Sequence, residues 1–416
     1  MDDKIIFHVD VNSAYLSWIA VHRLQFGEDD IDIRTIPSII GGNIKERHGI
    51  VLAKSIPAKK YNIQTGEPVV KALGRCKDLK VYPPDYKIFM RCSDAMYELL
   101  REYSPLIQRY SVDEVFMDMS HLKDNYIDKA IEIKDRIEKE LGFTVNIGIS
   151  TNKLLAKMAS DFKKKNSIHT LFQEEIKDKM WPLPIRDLFM VGSRTEKKLK
   201  KLNIQTIGDL AHYNFDILSH MFKSYAKVIY NYANGIENSK VRDKNYLEVK
   251  GIGNSTTAPF DIFRREDALK VLLSLVETAS MRLRKNETMC TLVHVSIKTN
   301  VFIRYSHQVT LNAPTDSTEE LFKEITKAFD EVWKGEGIRH LGVRFSKLCS
   351  NEFYQKNLFD DDKKDKRRAL DKTIDEIRFR YGNKSVFRST FINSKIKPLS
   401  GGVVEEEDYM MMGSIL

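Results

Sequence analysis

Residues 110–118 read YSVDEVFMD, and they decide the fold expected for the first part of the chain. The apolar and β-branched residues around Asp113 and Glu114 are typical of two short strands, over 106–111 and 114–118, that meet at the acids. An Asp-Glu pair by itself is more often a solvent-facing turn. Apolar runs on both sides weaken that interpretation, because acids between buried strands are costly without a compensating partner.

The segments around this strand pair complete a βαββαβ order. Residues 4–10 (KIIFHVD) predict a strand that ends in Asp10, and a helix follows it, with Asn12 or Ser13 as the N-cap. Because these strands are neighbours in the sheet of a βαββαβ unit, Asp10 is expected beside the two acids. The other expected elements are helices over 85–103 and 125–140, a strand over 143–150 and an inserted subdomain over 35–80.

Three converging acids indicate a site for hard divalent cations. Magnesium typically keeps several waters and binds through a few carboxylates and the phosphates of a substrate. Two such ions could activate an attacking hydroxyl and stabilise a leaving pyrophosphate, which suits phosphoryl transfer. Lysines in SIPAKKYNI (55–63) and NIGISTNKLLAKMASDFKKKN (146–166) could neutralise a triphosphate, although a solvated face is the simpler interpretation of any single lysine.

The pattern of residues changes from about residue 183, where helix and turn signals replace the strand signals. LPIRDLFMVGSRTEKKLKKLNIQTIGDL predicts a helix, a glycine turn and a second helix, and residues 239–249 resemble a linker. From about residue 250 a second βαββαβ order is expected, without the repetition that would indicate a duplication. Its helices are expected over 266–284 and 316–334, and its strands near 288–299, 301–312 and 338–347. The chain is strongly charged after 350, and GGVVEEEDYMMMGSIL is expected to be a mobile tail.

The composition of the 416 residues is that of a globular protein, with 42% hydrophobic and 30% charged residues. The net charge of +9 favours polyanionic partners, with nucleic acid ahead of anionic membranes. Because Cys76, Cys92, Cys290 and Cys349 form no CxxC pair, a zinc site or a disulfide framework is not expected. No apolar run has the length of a membrane span, and the N-terminus is not a signal peptide, so we expect a cytoplasmic protein without a membrane partner.

Four segments occur in the order and spacing of a known family. FHVDVNSAY (7–15), GGNIKERHGIVLAKSIPAKKYNIQTGEP (41–68), YSVDEVFMD and GISTNKLLAKMASDFKKKN (148–166) resemble the palm and finger motifs of the Y-family translesion DNA polymerases, specifically the bacterial UmuC/DinB-like (ImpB/MucB/SamB) group. The resemblance extends to about residue 395. It implies an α+β multidomain fold, made of a ferredoxin-like βαββαβ palm (1–34 and 81–170) with inserted fingers (35–80), a helix-hairpin-helix thumb (171–240), a linker (241–250), a second βαββαβ unit as the little finger (251–350) and a C-terminal segment (351–416).

The resemblance implies roles for the matching residues of the active site. Asp10, Asp113 and Glu114 match the catalytic acids, and with the carbonyl of Val11 they would bind two Mg²⁺ ions. Tyr15 falls at the steric-gate position, where its ring would clash with a 2′-hydroxyl. A helix residue packed in the core is the alternative for Tyr15.

The resemblance also implies that Lys59 and Lys164 contact the incoming triphosphate. The family often has Tyr and Arg where this chain has Ile56 and Lys59. Lysine keeps the charge but loses the bidentate fork of arginine, and Ile56 cannot donate a hydrogen bond to phosphate. Lys165 replaces the usual proline after Lys164, which is expected to alter the loop without removing function.

Two further segments resemble the DNA-gripping parts of the family. LFMVGSRTEKKLKKL (188–202) resembles its helix-hairpin-helix, whose turn amides could bind a phosphate; an ordinary basic αα-hairpin is the alternative. KGIGNSTTAPFDI (250–262) resembles the entry of its little finger. The expected DNA-binding residues are Gly192, Ser193, Arg194, Lys197, Ser255 and Thr256.

The segment QKNLF (355–359) resembles the peptide by which bacterial polymerases bind the sliding clamp. Leu358 and Phe359 would be apolar anchors, with Gln355 hydrogen-bonded beside them. Lys356 stands where leucine is usual. The resemblance therefore implies a sliding clamp as a partner of a protein that is otherwise expected to be a monomer.

The leading hypothesis is a low-fidelity, template-directed DNA polymerase for translesion synthesis in SOS-type damage tolerance. It would join dNTPs to the primer 3′-hydroxyl on primer–template DNA without proofreading. A nucleotidyl cyclase could use the same palm-like unit, but it would need no basic hairpin, second basic domain or clamp peptide. A non-catalytic DNA-binding accessory factor is the third hypothesis, against which the intact acids and Lys164 argue.

Overall fold

The computed structural model describes residues 4–28, 30–43, 49–162, 166–242, 249–351 and 363–399. These residues contain three β-sheets. Up to residue 170 the elements are β1 Ile6–Val11, α1 Ala14–Gln25, β2 Ser38–Gly41, β3 Val51–Lys54, α2 Ile56–Lys59, α3 Val69–Arg75, β4 Lys80–Tyr82, α4 Tyr86–Arg101, β5 Ile107–Arg109, β6 Glu114–Asp118, α5 Tyr126–Arg136, β7 Val145–Ser150, α6 Lys153–Ser160 and β8 Ile168–Thr170.

The first sheet has the strand order β5-β6-β1-β7-β8, which confirms the ferredoxin-like βαββαβ unit, extended by β8. Strand β1 lies at its centre and pairs antiparallel with β6 and with β7. The residues of β1 alternate between the two faces of the sheet. Val9 pairs with Val115 and Ile147, and all three belong to the main core together with Trp18 and other residues of the helices on that face.

Helix α6 packs on the opposite face of this sheet. A Cβ on Gly148 of β7 would lie 1.9 Å from the carbonyl oxygen of Ala156, so glycine is required for this close approach. Every residue of α6 is buried. Leu155 and Met158 belong to the core of the helices that follow in the chain, so α6 lies between the sheet and that helical layer.

The inserted segment forms a small sheet of its own, with the order β3-β2-β4. Strand β2 pairs antiparallel with β3 and parallel with β4. Val51, Ala58 and Val69 pack in a separate small core beneath it. The strand and helix signals over 35–80 therefore correspond to real elements, and the small sheet ends at Tyr82.

The region from 171 to 233 is made of helices joined by turns, and an irregular stretch follows over 236–242. Its α-helices are α7 Ser193–Lys201, α8 Ile207–Ala211, α9 Phe215–Phe222 and α10 Ser224–Ala233. They surround a core that includes Leu199, Ile207, Leu218 and Ile229. Gly192 is the N-cap of α7, which places the expected glycine turn directly before the basic helix.

The second unit has the predicted βαββαβ order but a different strand arrangement. Its elements are β9 Gly251–Ile262, α11 Arg265–Lys285, β10 Thr288–Thr299, β11 Arg304–Thr315, α12 Thr318–Val332 and β12 Ile338–Ser350. The sheet order is β11-β10-β12-β9, so its first strand lies at an edge, whereas β1 is central in the first sheet. The two units therefore share an order of elements and differ in topology, in keeping with the absence of sequence repetition.

The chain beyond residue 350 contains more structure than its charged sequence predicts. Helix α13 Lys363–Tyr381 contacts α11, and Phe391 and Ile396 join the core of the second unit. The buried face of α13 carries charged residues, including Asp371 and Asp375, so no apolar stripe marks this helix in the sequence. The expected tail over 401–416 and the clamp-like residues Gln355, Leu358 and Phe359 lie outside the described residues.

None of the helices in the described part of the chain is long and apolar enough to cross a membrane.

Candidate active site

Two of the three acids are direct partners across neighbouring strands. Asp10 on β1 is paired with Glu114 on β6, so both side chains emerge on the face that α6 covers. Asp113 precedes β6, and its carbonyl oxygen accepts a hydrogen bond of 3.0 Å from the amide of Val11. The structure thus brings Asp10, Val11, Asp113 and Glu114 to one end of the strand pair.

Burial gives this cluster an unusual electrostatic character. Asp10 is only 4% exposed. Burial raises the pKa of Glu114 to about 7; the ammonium of Lys157 opposes this shift, and the charges of Asp10 and Asp113 add to it. The acids therefore repel one another even though a lysine lies among them.

Lys157 of α6 is the cation that the structure places against these acids. Its Nζ lies 2.5 Å from Oε1 of Glu114 and 3.5 Å from Oδ2 of Asp161. Burial lowers the pKa of Lys157, but Glu114, Asp10 and Asp161 outweigh that effect, and its pKa is raised. Lys157 therefore remains protonated in the site.

The donor chemistry fits magnesium. The acids supply hard oxygen ligands, and a cation would relieve the repulsion from Asp10 and Asp113 that adds to the effect of burial on the pKa of Glu114. Within the described residues no three acid, imidazole or thiol groups form a ready metal cage. The carboxylate of Asp113 instead accepts a hydrogen bond of 2.6 Å from Ser111 Oγ. Where substrate phosphates complete a magnesium site, the protein supplies only some of the ligands, and this cluster is consistent with that arrangement.

Tyr15 lies in the first turn of α1, which begins after Ser13 in a left-handed conformation (φ 50°). Its half-buried ring packs on Phe89, with 4.5 Å between ring centroids, and edge-on against Trp18 at 6.1 Å. Ser13 is the N-cap without a side-chain hydrogen bond, while Asn12 donates to Thr144 and Asn146. The ring of Tyr15 is thus packed against Phe89 and Trp18, and part of its surface remains exposed.

The expected triphosphate lysines are placed unequally. Lys59 ends the short helix α2 and is exposed. Ile56, at the start of the same helix, is 70% exposed. Lys164 and Lys165 lie outside the described residues.

The hairpin before α7 presents an open, basic surface. Gly192, Ser193, Arg194 and Lys197 are all exposed. A Cβ on Gly192 would meet nothing within 4 Å, so the space beside the turn is open. Glu196 pairs with Arg186 and Lys200, and Arg194 and Lys197 are exposed cations in the first half of α7, directly after the turn.

Ser255 and Thr256 lie on opposite faces of β9. Ser255 is paired with Gly342 and exposed on the open face of the second sheet. Thr256 is paired with Leu341, which is buried in the core under the helices. Because side chains alternate along a strand, Thr256 lies on the face that the helices cover and Ser255 lies on the open face.

Sequence reasoning grouped Lys157 with lysines that neutralise a triphosphate and did not pair it with Glu114. This contact joins residues 43 positions apart and depends on how α6 crosses the sheet, so no motif or spacing could reveal it. The bond between Ser111 and Asp113 is more local, and a serine two residues before an acid is a signal that could have indicated it.

Comparison with known proteins gives matches along most of the chain. Residues 9–161 match a family model described as "impB/mucB/samB family", residues 173–204 match "IMS family HHH motif", and residues 249–358 match "impB/mucB/samB family C-terminal domain". A DNA polymerase IV of Clostridium acetobutylicum is 47% identical over 95% of this chain and 100% of its own length. DNA polymerase IV 1 of Bacillus subtilis is 33% identical over 96% of this chain and 95% of its own length.

Solved structures share the fold. A Y-family DNA polymerase chimera of Dbh and Dpo4 has a TM-score of 0.70 at 22% identity, and the match covers 83% of this chain and 100% of that one. DinB from Sulfolobus solfataricus has a TM-score of 0.52 at 22% identity, with 82% and 98% covered.

Proposed function

The chain belongs to the impB/mucB/samB family of Y-family DNA polymerases, and from this membership we infer that it is a DNA-directed DNA polymerase that carries out translesion synthesis. Homology along 95% of the chain and the shared fold support this function. The nucleotidyl cyclase hypothesis is not favoured, because the family matches also include the basic hairpin and the second sheet unit. We propose that synthesis is of low fidelity and occurs without proofreading.

The pairing of Asp10 with Glu114 is the observation that carries the proposed mechanism. We propose that Asp10, Asp113, Glu114 and the carbonyl of Val11 hold two Mg²⁺ ions. When bound, the ions would lower the pKa of the primer 3′-hydroxyl and neutralise the triphosphate. Glu114 would combine metal binding with acceptance of the hydroxyl proton, while the buried strands keep the acids in register.

Tyr15, Lys59 and Lys164 would bind the incoming dNTP. The ring of Tyr15 is fixed by Phe89 and Trp18, so it can act as a firm barrier to a 2′-hydroxyl. Lys59 is exposed at the end of α2 and would supply a point charge to the triphosphate. The exposed Ile56 beside it offers an apolar surface and no hydrogen bond to phosphate.

Primer–template DNA would be held through its backbone by two surfaces. The amides at Gly192 and Ser193, with Arg194 and Lys197, would contact phosphates at the open side of the hairpin. Ser255 would contact phosphates from the open face of the second sheet, where Arg344 is also exposed. Such contacts carry no sequence information, as a polymerase requires.

We propose a cytoplasmic monomer that binds the sliding clamp through Gln355, Leu358 and Phe359. The support for the clamp is the sequence of this peptide alone. We propose the cytoplasm as the location of the protein because chromosomal DNA and dNTPs are found there in a bacterium. Pull-down with the purified clamp, comparing the parent with Leu358→Ala plus Phe359→Ala, tests the partner, and equal capture of both would remove it.

Primer extension in Mg²⁺ on damaged and undamaged templates tests the proposed function. We expect incorporation on both templates and none in EDTA. A protein that binds primer–template but incorporates nothing with any divalent metal would support the accessory-factor hypothesis instead. Conversion of a nucleotide to a cyclic product without DNA would revive the cyclase.

A further inference from the structure

Lys157 faces the acids of the proposed active site instead of solvent, and the triphosphate role expected for lysines in this segment does not account for that. We propose that Lys157 is a positioning residue: its ammonium holds one oxygen of Glu114 and thereby fixes the orientation of this carboxylate. The inference rests on the proposed function, because it assigns Lys157 a task within the acid cluster of that reaction.

The ammonium of Lys157 contacts two carboxylates. Nζ lies 2.5 Å from Oε1 of Glu114 and 3.5 Å from Oδ2 of Asp161, and the lysine side chain is 9% exposed. Charge-assisted hydrogen bonds of this kind are among the strongest in proteins. The bond to the lysine therefore fixes one oxygen of Glu114, and with it the orientation that the whole carboxylate would present to a metal and to the primer hydroxyl.

The backbone under Lys157 is held firmly enough for such a role. Gly148 lets α6 approach β7 so closely that no Cβ could be accommodated there. Close to Lys157 on the same helix, Ser160 Oγ lies 2.8 Å from Nδ1 of His8, the residue two positions before Asp10 on β1. A side chain that leaves so fixed a helix can set the position of Glu114 to within the small tolerance that catalysis requires.

Lys153 provides an internal comparison. It lies one turn earlier on α6 and is also buried, but its ammonium bonds to Gln108 and lies over the ring of Phe116. Helix α6 thus carries two buried lysines, and only Lys157 is hydrogen-bonded to an acid of the cluster. Replacing Lys153 removes the same kind of residue from the same helix and leaves the contact to Glu114 in place.

The test compares Lys157→Met, Lys157→Arg and Lys153→Met in the full chain on primer–template DNA. We expect Lys157→Met to lower kcat about a hundredfold, as a displaced catalytic group does, with an unchanged KM for dNTP. The kcat of Lys157→Arg should be about tenfold higher than that of Lys157→Met, because a guanidinium can still donate to Glu114. The equilibrium dNTP affinity of the DNA complex in Ca²⁺, measured by fluorescence, should be the same for parent and Lys157→Met. Lys153→Met should keep the parental kcat and KM.

A rise in KM and a matching loss of dNTP affinity in Lys157→Met would overturn the proposal and make Lys157 a triphosphate ligand. Parental kinetics in Lys157→Met, or an equal loss of kcat in Lys153→Met, would also overturn it. If the parent extends no primer, the proposed function fails, while the dNTP-binding comparison in Ca²⁺ still decides between the two roles of Lys157.

Discussion

Arg284 of α11 and Asp375 of α13 form a two-pronged ion pair, with Nε–Oδ2 2.6 Å and Nη2–Oδ1 3.0 Å, in which each side chain is only 7% exposed. Asp371 lies 3.5 Å from the same guanidinium. The pair fastens the segment 363–399 to the second sheet unit, so this segment is an integral part of that unit.

We expect Arg284→Met to destabilise the second unit by about 3–5 kcal/mol, because it leaves buried aspartates without their cation. The free energy of unfolding in urea measures this loss. Arg265→Met is the matched control, because Arg265 makes a similar two-pronged pair with Asp330 on the exposed side of the same helix. It should change the stability little, and equal losses in the two variants would contradict the account.

Stabilisation by Mg²⁺ should grow as the pH rises through the pKa of Glu114, which is raised from 4.5 to about 7. A carboxyl with a raised pKa binds more protons in the folded chain than in the unfolded chain, so without metal the contribution of Glu114 to stability falls as pH rises from 4.5 towards 7. Metal binding requires the deprotonated form and offsets that loss. The difference in Tm between Mg²⁺ and EDTA should therefore be larger above pH 7 than below it.

Glu114→Gln should flatten this pH dependence, while Glu132→Gln, at the surface on α5, should preserve it. A difference in Tm that is independent of pH in the parent would show that Glu114 does not bind the metal.

Tyr15→Ala should admit ribonucleotides. Loss of the ring that blocks the 2′-hydroxyl is expected to raise the ratio of ribonucleotide to deoxynucleotide insertion by at least about tenfold. Tyr15→Phe keeps the ring and should keep the selectivity, since the ring contacts with Phe89 and Trp18 are retained. Single-nucleotide insertion kinetics give the ratio, and unchanged sugar selection in Tyr15→Ala would remove this residue from the gate.

Arg194→Ala plus Lys197→Ala should weaken DNA binding equally for all sequences. For every phosphate that the variant no longer neutralises, the slope of log affinity against log salt is expected to become shallower by about 0.9. Fluorescence anisotropy over a range of salt concentrations measures this slope. Lys323→Ala, an exposed lysine on α12, serves as the control. A slope unaffected by the double substitution would exclude the hairpin from the DNA interface.

Much of the first unit could be predicted from the sequence because its signals are local. Alternating apolar residues mark the strands, and the neighbouring positions of β1 and β6 in a βαββαβ unit place Asp10 beside Glu114. Contacts across the fold could not be predicted in this way. The pairing of Lys157 with Glu114 depends on how α6 crosses the sheet.

The C-terminal helix α13 escaped prediction for a different reason. Its buried face contains Asp371, Asp375 and Arg378, which read as a solvated surface. The facing charges of Arg284 and Glu277 on α11 compensate the burial of these groups, and backbone groups of Thr318 and Val386 bond to Asp371 and Arg378. The strand order of the second sheet was equally hidden, since the same order of elements is compatible with a central or an edge position of the first strand.

Primer extension by Asp113→Ala plus Glu114→Ala, beside the parent and the surface variant Glu98→Ala, tests the central claim most directly. All three proteins should bind primer–template DNA, since the acids do not grip the duplex. The parent and Glu98→Ala should extend the primer in Mg²⁺, and the double variant should not. Equal extension by the parent and the double variant would contradict the assignment of Asp113 and Glu114 to the active site.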